Sequence, residues 1–133
     1  MRTTLVERVA AVLLGLEGLG LLLIVGWEIA ALVSGDAGLL PTSLALIVLT
    51  TIGAAAVLGF GIATWRGASW GRSGGIVAQL LILAVALGAA TGSYGQPILA
   101  VQLAVPAVIV LVCLVLGVRA AGRRREPAAD GAR

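Results

Sequence analysis

The feature that most restricts the fold of this chain is a run without a formal charge, from residue 73 to residue 118. A helix needs about 20 apolar residues to cross the roughly 30 Å hydrocarbon core of a bilayer, so this run is too long for one crossing. The segment from Thr91 to Pro97 interrupts it with turn-forming residues, and Pro97 suits the first turn of a new helix. The run therefore predicts two membrane-spanning helices, over about 74–90 and 98–118.

Two further apolar stretches precede this run, over about 9–33 and 42–64. The chain is 60% hydrophobic and 11% charged, whereas soluble domains carry about 25% charge. Lipid does not tolerate irregular backbone, so the links between spans must lie at the membrane surfaces. We predict an all-α membrane protein, a compact antiparallel four-helix transmembrane bundle. Residues 1–119 form this domain, and residues 120–133 form a disordered basic cytoplasmic tail.

The arginines predict the orientation of the bundle. All nine basic residues are Arg: Arg2, Arg8, Arg66, Arg72, Arg119, Arg123, Arg124, Arg125 and Arg133. When the spans alternate in direction, all of them fall on one side, which the positive-inside rule assigns to the cytoplasm. Both termini are therefore predicted to be cytoplasmic. The absence of Lys, with abundant Ala and Gly, is typical of a GC-rich genome and predicts a bacterial cell membrane. Topology also accounts for the net charge of +3, so we expect no nucleic-acid partner.

Glu17 is the most informative side chain, because it lies about 12 Å inside the first span at 1.5 Å per residue. A carboxylate at that depth costs about 2.5 kcal/mol or more and rarely faces lipid. We expect it to be uncharged or to have a hydrogen-bonding partner. Glu28 returns to nearly the same helix face eleven residues later.

Matched depths predict two polar layers inside the bundle. Gln79 lies at the level of Glu17, and Thr50 or Thr51 could join this inner layer. Gln102 lies near the level of Glu28 and would form the outer layer with it. Such groups either serve as a proton or cation site or hold helices together by hydrogen bonds. The structural interpretation is favoured for Glu17, and more strongly for Glu28, which lies near the outer surface.

The link between the second and third spans combines aromatic and basic residues. Trp65, Arg66, Trp70 and Arg72 are predicted to contact lipid headgroups there, and Arg123, Arg124 and Arg125 to contact anionic headgroups from the tail. Simple anchoring of the bundle at the interface is the favoured interpretation of the link. Tyr94 and Trp27 fall near the opposite surface, as expected for an aromatic belt.

Small residues recur every four positions on two spans, as Ala55, Gly59 and Ala63 and as Ala84, Gly88 and Gly92. These residues allow membrane helices to approach closely. The pattern favours tight packing, either within the bundle or between copies of the chain.

Three stretches carry a resemblance to a known group: Leu16-Glu17-Gly18, the link from Trp65 to Ser73, and Gln79-Leu80. The chain resembles small four-span actinobacterial membrane proteins of unknown role. The resemblance implies the four-span architecture and brings no activity with it.

No catalytic, cofactor-binding or metal-ligating motif occurs in the sequence, so we expect neither an enzyme nor a cofactor. The leading hypothesis is an accessory or regulatory membrane component that acts by helix–helix association, as a homo-oligomer or in a larger complex. The alternative is a proton-coupled small transporter or channel that uses Glu17. This alternative needs a cavity that reaches Glu17, which we expect a homodimer to build. A cavity at Glu17 would favour the alternative over the leading hypothesis.

Overall fold

The computed structural model describes residues 3–93 and 95–124, and within these ranges the chain forms four α-helices. They are α1 (Leu5–Ser34), α2 (Leu40–Trp65), α3 (Ser69–Thr91) and α4 (Pro97–Arg123). Each helix is long and apolar enough to cross a membrane. The prediction of a multi-pass, all-α membrane protein is confirmed at this level.

The helices extend beyond the predicted spans at the end of the bundle that carries the arginines. α1 begins at Leu5 because Thr4 and Glu7 form a capping box, in which each side chain binds the backbone N–H of the other. α3 begins at Ser69, and α4 continues to Arg123. Residues 120–123, predicted to belong to a disordered tail, are therefore helical. Arg125 and the rest of that tail lie outside the described residues, as do Arg2 and Tyr94.

The four helices pack most closely as chain neighbours, α1 with α2 and α3 with α4. Weaker contacts of α2 with α3 and of α1 with α4 close the bundle, so α1 and α3 lie diagonally opposite each other. A small apolar core lies nearer the arginine end: Ala10, Leu14, Val57, Val110 and Leu114. Most large apolar side chains lie on the outer surface, as expected when the surroundings are lipid.

The turn between α2 and α3 brings the two helices together. Gly67 has a φ of 76°, a left-handed conformation that Gly adopts at little cost. Four residues later, a Cβ at Gly71 would lie 2.5 Å from the backbone nitrogen of Thr64 and 2.6 Å from Cβ of Ala63. The two backbones can approach this closely only because residue 71 has no side chain.

The predicted small-residue faces contribute little to packing inside the bundle. Ala84, Gly88 and Gly92 are exposed, and a Cβ at Gly59 would meet no atom of the described residues within 4 Å. Ala63 is the member of these faces that is buried, against Gly71. The face of α3 formed by Ala84, Gly88 and Gly92 is therefore available to a second molecule.

Candidate functional site

Glu17 and Gln79 meet across the diagonal of the bundle. The amide Nε2 of Gln79 donates a hydrogen bond to Oε2 of Glu17 at 2.6 Å. Gln79 is fully buried, and its other amide atom, Oε1, has no hydrogen-bond partner among the described residues. The structure thus brings together the two residues that the sequence analysis paired by their depth. It leaves Oε1 of Gln79 without a hydrogen bond from any described residue.

Glu17 also lines a cavity of about 1110 Å³ between the α1–α2 hairpin and the α3–α4 hairpin. All four helices contribute to its wall, with α2 lining it from Gly53 to Phe60 and α3 from Trp70 to Ile82. Ala56 and Val77 of this wall are exposed, so the cavity is open to the bundle surface at membrane depth. We call it the interhelical cavity. One chain forms it, so the expected homodimer is not needed to build it.

The wall is mostly apolar, and its polar side chains are those of Glu17, Ser73 and Gln102. The Oε1 atom of Glu17 accepts no hydrogen bond from any described residue, and Glu17 is the only ionisable side chain that the described part of the chain contributes to the wall. Pro106 lies inside α4 and lacks an N–H, which leaves the carbonyl of Gln102, four residues earlier, without its usual helical donor. Both Gln102 and Pro106 line the cavity.

Aromatic rings line the cavity towards the arginine end. Phe60 and Trp70 pack edge to face, with ring centroids 6.2 Å apart and planes at 71°. Phe60 also covers Gly74, where any side chain would overlap its ring. An acid and two aromatic rings therefore share one apolar cavity.

The predicted outer polar layer of Glu28 and Gln102 does not form. The hydroxyl of Thr50 lies 3.4 Å from Oε1 of Glu28, but its proton goes to the carbonyl of Leu46 at 2.7 Å. Oε2 of Glu28 is buried and has no partner among the described residues. Gln102 lines the interhelical cavity with Glu17 instead, and Thr50 belongs to the level of Glu28 rather than to that of Glu17. The prediction compared only the depth of the residues along the helix axes and took no account of the direction in which their side chains point.

A buried ion pair at the arginine end was not predicted. Nη1 of Arg72 lies 2.9 Å from Oε1 of Glu7, and both side chains are almost completely buried. The same nitrogen donates to the carbonyl of Gly67, while Oε2 of Glu7 accepts from the backbone N–H of Thr4 at 2.7 Å. The pair joins α1 to the first turn of α3. A Thr followed three residues later by Glu is the sequence signal of the capping box, and it could have identified Glu7.

This pair corrects the interpretation of Arg72 as a lipid-headgroup contact. Arg72 is 9% exposed and its guanidinium faces Glu7, so headgroups have little access to it. The other predicted headgroup contacts that the structure describes are exposed: Trp65, Arg66, Trp70, Arg123 and Arg124. Trp65 also packs against Arg8, whose guanidinium carbon lies 5.6 Å from the ring centroid. Arg125 lies outside the described residues.

No family model, curated protein or solved structure matches the chain. The resemblance to actinobacterial four-span proteins therefore stays a prediction. Within residues 3–93 and 95–124, no group of three or more His, Cys, Asp or Glu side chains could hold a metal ion.

Proposed function

We propose that this chain is a proton-coupled transporter of small hydrophobic molecules, with Glu17 as the group that exchanges protons. The observation that carries the proposal is the interhelical cavity, which reaches a carboxyl group at membrane depth. An ionisable residue inside a membrane is costly and commonly marks a substrate or proton pathway. An apolar cavity with few polar groups is the usual form of a site for a small hydrophobic ligand.

The hydrogen-bonding state of Glu17 supports a role in proton exchange. Gln79 fixes one carboxyl oxygen, which orients the group, while the other oxygen is left to the cavity. A carboxyl held in this way can take up a proton when the cavity is empty and release it when a ligand replaces the proton. Glu28 does not line the cavity and serves as a matched control on the same helix.

The proposed setting is the cytoplasmic membrane of a bacterium, with both termini in the cytoplasm. Arg8 near the start of α1, Arg66 after α2 and Arg119 near the end of α4 lie at one end of the bundle. Arginines concentrate on the cytoplasmic side of multi-pass proteins.

The test is transport by purified protein in liposomes that contain a pH-sensitive dye. A panel of small hydrophobic compounds of positive, neutral and negative charge is added from outside, and proton movement is recorded. We expect at least one compound to move protons with the wild-type chain and with Glu28→Gln. Glu17→Gln should reduce the signal to that of protein-free liposomes. A response that persists in Glu17→Gln, or none with any compound, contradicts the proposal.

A second candidate is a non-enzymatic accessory or regulatory role through helix association. It is favoured by the exposed face of α3, where a Cβ at Gly88 would meet no atom of the described residues within 4 Å. Crosslinking in native membranes should capture a homo-oligomer or a larger complex. Gly88→Leu should abolish it, whereas Gly26→Leu, at an exposed position of α1, should not. A chain that stays monomeric and crosslinks to nothing would exclude this role.

A further inference from the structure

We infer that the interhelical cavity selects a lipophilic amine, bound as its ammonium form with N–H groups directed at Glu17. This inference rests on the proposed function for the choice of site and adds the chemical class of the ligand. It draws on three observations: the acceptor groups in the wall, the depth of Glu17, and the aromatic pair at one end of the cavity.

Two acceptor groups of the wall, on Glu17 and on the backbone of Gln102, call for a hydrogen-bond donor. Oε1 of Glu17 has no donor among the described residues, and the carbonyl of Gln102 lost its helical donor to Pro106. An ionised carboxylate accepts hydrogen bonds and does not donate them. An ammonium group supplies up to three N–H donors and a positive charge, and hydrogen bonds between charged groups are the stronger ones. A carboxylate ligand would instead be repelled.

The depth of Glu17 excludes the headgroup of an ordinary phospholipid. Glu17 lies nine residues beyond Arg8, which packs on Trp65 at the level of the arginines. Nine residues of helix correspond to about 14 Å. A phosphate cannot be drawn that far into the hydrocarbon at modest cost, whereas a single amine on an apolar body can enter from the bilayer through the open side of the cavity.

The aromatic pair contributes to the apolar part of the site. Phe60 and Trp70 line the cavity, and aromatic rings offer large apolar surfaces. The rest of the lining is mainly Gly, Ala, Val, Leu and Ile, which suits an aliphatic body. A ligand that fits this lining has one charged end for the polar contacts and a compact apolar body for the rest of the cavity.

Three compounds of nearly equal size and shape test the charge preference: 1-adamantanamine, 1-adamantanol and adamantane-1-carboxylate. Equilibrium dialysis of the labelled compounds against purified protein in detergent, with protein-free micelles subtracted, gives the affinity of each. We expect the amine to bind at least about tenfold more tightly than the alcohol, and the carboxylate to bind most weakly. Equal affinities, or no binding of the amine, would overturn the inference.

Two pairs of variants locate the site. Glu17→Gln should remove the preference for the amine over the alcohol, while Glu28→Gln should keep it. Gly53→Leu would place a side chain in the cavity, because Gly53 lines it and a Cβ there would meet no described atom within 4 Å. It should weaken the binding of both compounds. Gly59→Leu, at a similarly open position outside the lining, should bind normally. An amine preference that survives Glu17→Gln, or binding that is unchanged in Gly53→Leu, would refute the assignment.

The outcome is separable from that of the transport experiment. Selective amine binding without any proton movement would leave a ligand site in a protein that is not a transporter. Proton movement driven equally by neutral or anionic compounds would keep the transporter and refute the amine.

Discussion

Glu7 and Glu17 lie about 15 Å apart along α1, and their carboxyl groups meet different surroundings. Glu7 is buried, faces the guanidinium of Arg72, and has hydrogen-bond donors on both oxygens. Glu17 is half-buried, faces a neutral amide through one oxygen, and offers the other to a cavity. The packed apolar core around Leu14 separates the two sites.

Under the proposed function, one helix carries an acid that holds the bundle together and an acid that exchanges protons. A buried charge with a full set of partners is held in place, and removing one partner is strongly destabilising. A carboxyl group with one oxygen free of hydrogen bonds can change its protonation state or its ligand with little loss of protein stability. On this basis Glu7 should determine the stability of the bundle, and Glu17 should determine its activity.

The largest predicted change in stability comes from replacing Arg72. Arg72→Leu leaves the buried carboxylate of Glu7 without its counter-ion and should lower the free energy of unfolding by about 3–5 kcal/mol. Unfolding in mixed micelles with increasing SDS, followed by circular dichroism, measures the change. The double variant Glu7→Gln with Arg72→Leu should recover most of the loss, because Gln at that position preserves the capping box. A loss as large in the double variant would show that the charge itself is not the cause.

A smaller effect should follow from moving the first turn of α3, which carries Arg72. Gly71→Ala places a Cβ against the backbone of Thr64 and should cost about 1–3 kcal/mol by overpacking. The same unfolding experiment applies. Gly59→Ala on α2, where a Cβ would meet no described atom within 4 Å, should not destabilise the protein. Equal stability of the two variants would mean that α2 and α3 are not in tight contact at residue 71.

A variant of the capping box tests the second set of contacts of Glu7, those with Thr4. Thr4→Ala removes the hydroxyl that caps α1 and binds Oε2 of Glu7, and it should cost about 1 kcal/mol. Thr3→Ala, whose hydroxyl accepts a hydrogen bond from the exposed Arg8 side chain, should change stability by less than about 0.5 kcal/mol. Hydrogen exchange of the first turn of α1 should become faster in Thr4→Ala alone.

The smallest predicted change in stability is at Glu17. Glu17→Gln keeps a hydrogen-bonding partner for Gln79 and should alter the free energy of unfolding by less than about 1 kcal/mol, in line with hydrogen bonds between membrane helices. Circular dichroism and SDS unfolding should match the wild type while transport is lost. If Glu17→Gln destabilised the protein as much as Arg72→Leu, the distinction between the two acids would fail.

The part of the structure that follows from hydropathy could be predicted. Four long apolar stretches predict four helices, and depth along the helices paired Glu17 with Gln79. Helix ends were predicted less well. Hydropathy marks the apolar part of a span, whereas α1 extends to Leu5 through the polar capping box and α4 continues to Arg123.

Side-chain direction and partner choice could not be read from depth alone. Gln102 has the depth of Glu28 but lines the cavity of Glu17, since rotation of α4 about its axis decides where residue 102 points. The distribution of arginines predicts the topology of the chain but not the partner of each arginine. Arg72 was therefore wrongly assigned to lipid headgroups. The cavity itself depends on how far apart the two hairpins pack, which no local pattern in the sequence specifies.

The pair of Glu7 and Arg72 also has a consequence for the order in which the chain is assembled. Its two residues are 65 positions apart, so Glu7 is synthesised long before its counter-ion exists. Until the third helix emerges, the start of the first helix must keep a charged carboxylate near water. We expect the two early helices to enter the bilayer as a hairpin before Arg72 can pair with Glu7. A chain that stalls before residue 72 would leave Glu7 without its counter-ion.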